Sequence, residues 1–182
     1  MTIAPGTYAL EPPDARLMIR TSRQGAASKA GHDLLIEVQT WGATVQLAPD
    51  PAQSVFELNA DSRSLKVLEG TGGIKALGDD DRGSIVKTIN KEILKGAPIT
   101  FRSTAVRPDG EGRFHVTGDL ELANGISLIA FDITVTDDGR LTGSATVRQT
   151  EWGIKPYSAL FGTLKVADEV QIEVEGVLKP AP

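Results

Sequence analysis

From Phe114 to Val135 apolar and polar residues alternate with a period of two, broken once at Ala123-Asn124-Gly125. Phe114, Val116, Gly118, Leu120 and Leu122 form one row, and Ile129, Phe131, Ile133 and Val135 the other. Such alternation predicts strands with one buried face. The same pattern extends to both sides and predicts strands over Ile99–Val106, Arg113–Leu122, Ser127–Thr136 and Arg140–Thr150. The hinges between them are short and rich in Gly, Asn and Asp, residues that tolerate positive φ, which forces antiparallel neighbours and a four-stranded meander.

The register follows from the hinges. A two-residue Asn124-Gly125 turn sets Leu120 opposite Ile129, Gly118 opposite Phe131, Val116 opposite Ile133 and Phe114 opposite Val135. A three-residue loop at Asp137-Asp138-Gly139 sets Phe131 opposite Ala145 and Ile129 opposite Val147. A six-residue loop on the other flank sets Phe101 opposite Gly118 and Ile99 opposite Leu120. Apolar residues then meet apolar residues or glycine throughout.

The first half adds strands at Leu17–Ser22, Leu34–Leu47 and Ser54–Ala60, with a short one near Thr7–Leu10. The apolar parity of Leu34–Leu47 slips, which a bulge or bend near Gly42 explains. Alternation at Val170, Ile172, Val174 and Leu178 predicts a last strand, for about eight in all besides the short one. Between the halves Ile85, Ile89 and Ile93 recur every four residues, with Val86 and Leu94 beside them, as on a helix packed against a sheet. Asp79–Asp81 suit its N-terminus, and Gly96 and Pro98 its end. Residues 153–167 receive no assignment.

Composition narrows the function more than the fold. A chain of 182 residues without a linker or repeat is read as one domain, residues 1–182. Its net charge of −5 argues against nucleic acid and anionic membrane surfaces as partners. The absence of cysteine removes disulfides, thiolate metal sites and thiol nucleophiles. No apolar run is long enough to span a bilayer. "MTIAPGTYAL" carries no basic and apolar leader pattern, so the expected compartment is the cytoplasm.

Candidate chemistry is sparse. His32-Asp33 enters a strand without the further ligands a metal site needs, so His32 is read as a hydrogen-bonded rim or structural histidine. "GTGGIK" at Gly70–Lys75 lacks the spacing of a phosphate loop. Asp79–Asp81 lack calcium-loop spacing. Glu151 and Asp168 flank the unassigned segment without a second feature pointing to acid–base work. No cofactor, metal or catalytic residue is expected.

The apolar layers alternate large with small, Phe101–Gly118–Phe131–Ala145 and Ser103–Val116–Ile133–Gly143. Small barrels fill their taper in this way, but an eight-stranded barrel is also wide enough to hold one small ligand. Periodicity leaves a packed core, a lumen and a sandwich all open.

"PGTYAL", "AGHDL", "GAPITFRST", "VTGDLELANGISL", "WGIKPY" and "ADEVQIEVEG", in this order and spacing, resemble the YceI-like family of polyisoprenoid-binding, lipocalin-like barrel proteins. The chain departs from the family's usual pattern at Glu11–Ala15 and at Thr150–Gly153. The resemblance implies a mainly β fold, an eight-stranded antiparallel up-and-down barrel with one packed α-helix. It further implies a non-enzymatic carrier or store of a long lipophilic molecule, a polyisoprenoid or similar amphiphile, in an apolar tunnel. Enzymatic action on a bound lipid through His32 or Glu151, or a filled barrel serving as an interaction module, are the alternatives.

Alternation and resemblance together nominate Phe56, Leu58, Phe101, Phe114, Val116, Phe131, Ile133, Val147, Ile172 and Val174 as lining residues. Trp152, Tyr157 and Phe161 are the expected gate, as aromatics in a long loop beside a barrel. Gly118, between Phe101 and Phe131, is read as making room in the lumen, against the plainer reading of a glycine tolerated for twist. The expected partner is an isoprenoid-like small molecule, without nucleic acid or direct membrane insertion, and a homodimer is compatible with the sequence.

Overall fold

Alternation does produce strands on both sides of the expected helix. The computed structural model describes residues 3–181. Its strand segments in the first half are β1 (Gly6–Leu10), β2 (Ala15–Thr21), β3 (Arg23–Gln24), β4 (His32–Val38), β5 (Trp41–Leu47), β6 (Val55–Ala60) and β7 (Leu65–Gly72). The second half holds β8 (Ile99–Pro108), β9 (Arg113–Leu122), β10 (Gly125–Val135), β11 (Arg140–Arg148), β12 (Ser158–Ala159), β13 (Leu164–Val166), β14 (Glu169–Val177) and β15 (Lys179–Pro180). Twelve of them form one curled antiparallel sheet, and β12, β13 and β3 a small second one.

The twelve segments are pieces of eight longer runs. β4 and β5 continue one another, and so do β6 and β7: Val38 pairs with Leu65 and Trp41 with Ala60. Likewise β2 pairs with β4 while β1 pairs with β5, and β14 pairs with β2 while β15 pairs with β1. Taken as runs, each strand pairs with the next and the last returns to the first. This is the up-and-down barrel that the family resemblance implies. The breaks are local bends. At the first of them Gln39 N–H donates to Ser64 O at 2.9 Å and Thr40 N–H to Ser64 Oγ at 2.9 Å. The expected strand Leu34–Leu47 is therefore bent at Gln39–Thr40, two residues ahead of Gly42, and carries no bulge at that glycine.

The meander forms with a corrected register. Asp132↔Ser144 and Ile133↔Gly143 match the three-residue loop. At the central hinge Leu122 pairs with Gly125, so Ile129 faces Gly118, Phe131 faces Val116 and Ile133 faces Phe114, a shift of two. The turn uses Ala123 (φ 50°) and Asn124 (φ 66°), leaving Gly125 to open β10. A shift of two preserves the face of every side chain. On the other flank Phe101 faces Leu120 and Ser103 faces Gly118, and an irregularity between Ser103 and Ala105 brings Val106 opposite Val116.

The two ends of the barrel differ. Around Phe56, Phe114, Val116, Ile133, Val135 and Leu141 the interior is solidly packed, with Val116 fully buried. Phe56 and Phe114 pack with ring centroids 6.3 Å apart. At the other end sits the expected helix, α1 (Asp79–Thr88), continuing into a π-helical turn at Ile89–Ile93. The Gly78 N–H donates to Asp81 Oδ2 at 3.1 Å, tying the first turn, and Gly96 at φ 66° follows its end.

Candidate functional site

α1 does not fill the barrel end that it covers. Beneath it lies a cavity of about 600 Å³. Its walls come from all eight runs: Leu17 and Ile19 of β2, Leu34 and Ile36 of β4, Leu58 and Ala60 of β6, Ile99 and Phe101 of β8, Leu120 and Leu122 of β9. Ile129 and Phe131 of β10, Ala145 and Val147 of β11, and Val170, Ile172 and Val174 of β14 complete the ring. The roof is the apolar stripe of the helix, Ile85, Ile89 and Ile93, with Ser84 and Thr88 beside it. No residue of α1 is fully buried, because its inner face borders empty space. Phe101 and Phe131 pack with their rings tilted by 58° and centroids 5.3 Å apart on one wall.

Polar groups gather at the mouth and are mostly committed to holding it. Arg23 Nη1 donates to Gly31 O at 2.7 Å and Thr71 O at 3.1 Å, while the Arg23 N–H donates to Asp33 Oδ1 at 2.8 Å. His32 Nε2 lies 2.8 Å from Lys75 O, and its ring fills the space where a side chain at Gly73 (φ 75°) would stand. Lys75 in turn pairs with Asp81 at 3.4 Å. The Gly78 N–H, then Lys75, hold the Asp81 carboxyl below the usual carboxylate range. His32 is thus a rim histidine that fastens the loop ahead of α1. The unassigned segment 153–167 supplies the facing lip: β13 pairs with β3, and Tyr157, Ile154, Leu164 and Val166 border the cavity.

Of the residues nominated from sequence, Leu58, Phe101, Phe131, Val147, Tyr157, Ile172 and Val174 come together on this cavity. Phe56, Phe114, Val116 and Ile133 face the interior but lie in the packed end. Alternation reports which face a side chain takes, not its height along the barrel. Gly118 is a correction: a Cβ there would stand 2.5 Å from the Phe101 ring and near the Arg102 carbonyl, so the ring already occupies the space. Trp152 is buried, and its indole N–H donates to Leu120 O at 2.8 Å, so it is a fixed plug instead of a gate. Phe161 is fully exposed at φ 55° and does not border the cavity.

Glu151 pairs with Arg148 at 3.9 Å, and Asp168 accepts from the Thr150 N–H at 2.9 Å and the Thr150 hydroxyl at 2.6 Å. Both carboxylates serve the turn after β11. Among the described residues no three His, Cys, Asp or Glu side chains group as metal ligands, and no helix is long and apolar enough to cross a membrane.

The helix roof was legible as a stripe in the sequence, but its lining role was not assigned. β2 and β4 were legible as strands, yet their residues Leu17, Ile19, Leu34 and Ile36 carried no signal of height. Strand β7 carries no clear signal in the sequence, because Gly70–Lys75 reads as a flexible loop.

Comparison with known proteins agrees with this architecture. The family model described as the YceI-like domain matches residues 24–178. No curated protein matches the chain. Among solved structures, BcnA of Burkholderia cenocepacia is similar with a TM-score of 0.65 at 18% identity, over 91% of this chain and 96% of that one. A polyisoprenoid-binding domain from Saccharophagus degradans, implicated in plant cell wall breakdown, gives 0.59 at 9% identity over 98% and 100%. The YCEI protein of Campylobacter jejuni gives 0.57 at 12% identity over 81% and 84%. At such identities the likeness carries the fold, while the family match covers most of the sequence. By that match and by its helix-capped barrel, the chain belongs to the YceI-like family.

Proposed function

We propose that this protein binds a long lipophilic molecule, a polyisoprenoid or similar amphiphile, in the helix-capped cavity, and carries or stores it without chemical change. The observation that supports this reading is the cavity, a space of about 600 Å³ with a mainly apolar lining and few charged groups. A methylene is comparable in size to a water molecule, whose share of liquid volume is about 30 Å³. The cavity therefore accommodates roughly twenty carbons. At about 0.8 kcal/mol for each buried methylene, ten of them contribute roughly 8 kcal/mol before the cost of association. Hydrocarbon alone can hold such a ligand, so a shortage of anchoring charges inside is consistent with the proposal. The name of the Saccharophagus degradans domain points to the same ligand class.

Organic extraction of the purified protein followed by mass spectrometry, together with titration by geranylgeraniol, tests the proposal. A stoichiometric lipid in the extract, or saturable binding with one site, is expected. An extract without lipid and no binding of prenyl alcohols would overturn it.

A further inference from the structure

The wall of the cavity is not continuous. β10 pairs with β9 from Gly125↔Leu122 to Thr134↔Arg113, and β11 pairs with β14 from Arg140↔Val177 to Arg148↔Glu169. Between β10 and β11, by contrast, the ladder holds four pairs, Asp132↔Ser144 to Val135↔Leu141. Above Asp132 and Ser144 the two strands run on without pairing. The register would set Phe131 opposite Ala145 and Ile129 opposite Val147, yet neither pair forms. The result is a slit beside residues 127–131, about 13 Å long at 3.3 Å per residue. Its upper limit is the segment Gln149–Trp152, whose backbone at Trp152 closes on Gly125.

Two observations place this slit on the cavity. Phe131, Ala145 and Val147, which flank it, line the cavity. So does Ser144, an exposed residue whose side chain belongs to the outer face of β11. On the outer face of β10 Leu128 and Ala130 are exposed alongside the slit, Leu128 being 58% accessible, and Ile126, 69% accessible, stands just beyond it beside Glu121 of β9. Solvent-facing positions of a one-sided sheet are ordinarily polar, so an apolar track here continues the cavity's lining onto the surface.

We infer that the slit between β10 and β11 is a lateral portal, through which an apolar chain longer than the cavity passes to the outer face. This inference rests on the cavity being the lipid site. It removes the length limit of roughly twenty carbons. A longer chain keeps its first part under α1 and lays the remainder beside Ile126 and Leu128. Specificity is then for chain thickness and polarity more than for length.

The absence of cysteine allows a test on folded protein. Ser144→Cys supplies a single thiol at the slit, and Thr142→Cys supplies one on the same outer face but within the paired ladder, opposite Thr134. Each is labelled after folding with a bulky fluorescein maleimide, and affinities for geranylgeraniol and for the much longer solanesol are measured. Unlabelled protein is expected to bind solanesol at least as tightly as geranylgeraniol. Labelled Ser144→Cys should lose about tenfold or more for solanesol, as burial of a few methylenes is forfeited, and several-fold less for geranylgeraniol, which ends before the slit; an equal loss for both alcohols would overturn the portal. Labelled Thr142→Cys should change neither. Solanesol binding untouched by the label at Ser144→Cys, or rejection of solanesol by unlabelled protein that binds geranylgeraniol, would overturn the portal while leaving the cavity reading intact. Failure of both alcohols to bind would overturn the cavity reading and the portal with it.

Discussion

Gly118 is where a single methyl group distinguishes the packed part of this barrel from its hollow part. A Cβ built on it would lie 2.5 Å from the Phe101 ring and closer still to the Arg102 carbonyl oxygen. Real contacts of that kind are well beyond 3 Å, so Gly118→Ala has to move something. The Phe101 ring can turn toward the cavity it lines, but the Arg102 carbonyl belongs to the backbone of β8 and moves only with the strand. Overpacking of this sort costs about 1–3 kcal/mol. For a chain of this size each kcal/mol lowers the midpoint by about 2–4 °C, so a fall of roughly 2–12 °C is expected in a thermal melt followed by circular dichroism. The displaced ring also enters the cavity, so geranylgeraniol affinity should fall in the same protein. An unchanged midpoint would refute the close approach of β8 to β9 at this point, and with it the assignment of Gly118 to packing.

Ala145→Trp places a large side chain in the cavity instead. Displacing about three methylenes costs ligand binding about 2.4 kcal/mol, roughly fifty-fold, by isothermal titration with geranylgeraniol, while the thermal midpoint of the empty protein holds. Val116→Ala does the opposite: at the fully buried packed end it should cost about 2 kcal/mol in denaturant unfolding and leave ligand affinity within about twofold. The Asp81 carboxyl is held below its ordinary pKa by the Gly78 N–H and Lys75. Its contribution is therefore complete above the usual carboxylate pKa of about 3.9 and is lost as pH falls through the lower folded value. Asp81→Asn should accordingly be less stable than the parent at neutral pH, with the two melting curves converging in acid. A difference that persists below the carboxylate range would contradict that assignment.

Period-two alternation made the eight runs of the barrel largely readable, because one buried face leaves its mark on every second residue. It also fixed which face of β9, β10 and β11 turns inward, despite the register error of two at Ala123-Asn124. That error came from the preference of Asn-Gly for the two central turn positions; here Ala123 takes the first, and Gly125 begins the strand. β7 escaped notice because its Gly70 and Gly72 dilute the alternation. The site was half legible for a different reason. Phe114 and Phe131 carry the same sequence signal, yet one packs against Phe56 and the other borders the cavity. Their separation depends on bends at Gln39–Thr40 and residues 61–64, and on a helix laid over one end, none of which local alternation encodes. Trp152 and Phe161 show the same limit for the loop, where one aromatic is buried and hydrogen-bonded while the other stands in solvent.

The most direct test of the central claim is a crystal structure of the protein saturated with geranylgeraniol. Continuous density for one prenyl chain is expected beneath Ile85, Ile89 and Ile93, against Phe101, Phe131 and Ile172, with its hydroxyl toward the mouth. A cavity that remains without prenyl density while the alcohol binds elsewhere, or does not bind at all, would contradict the account.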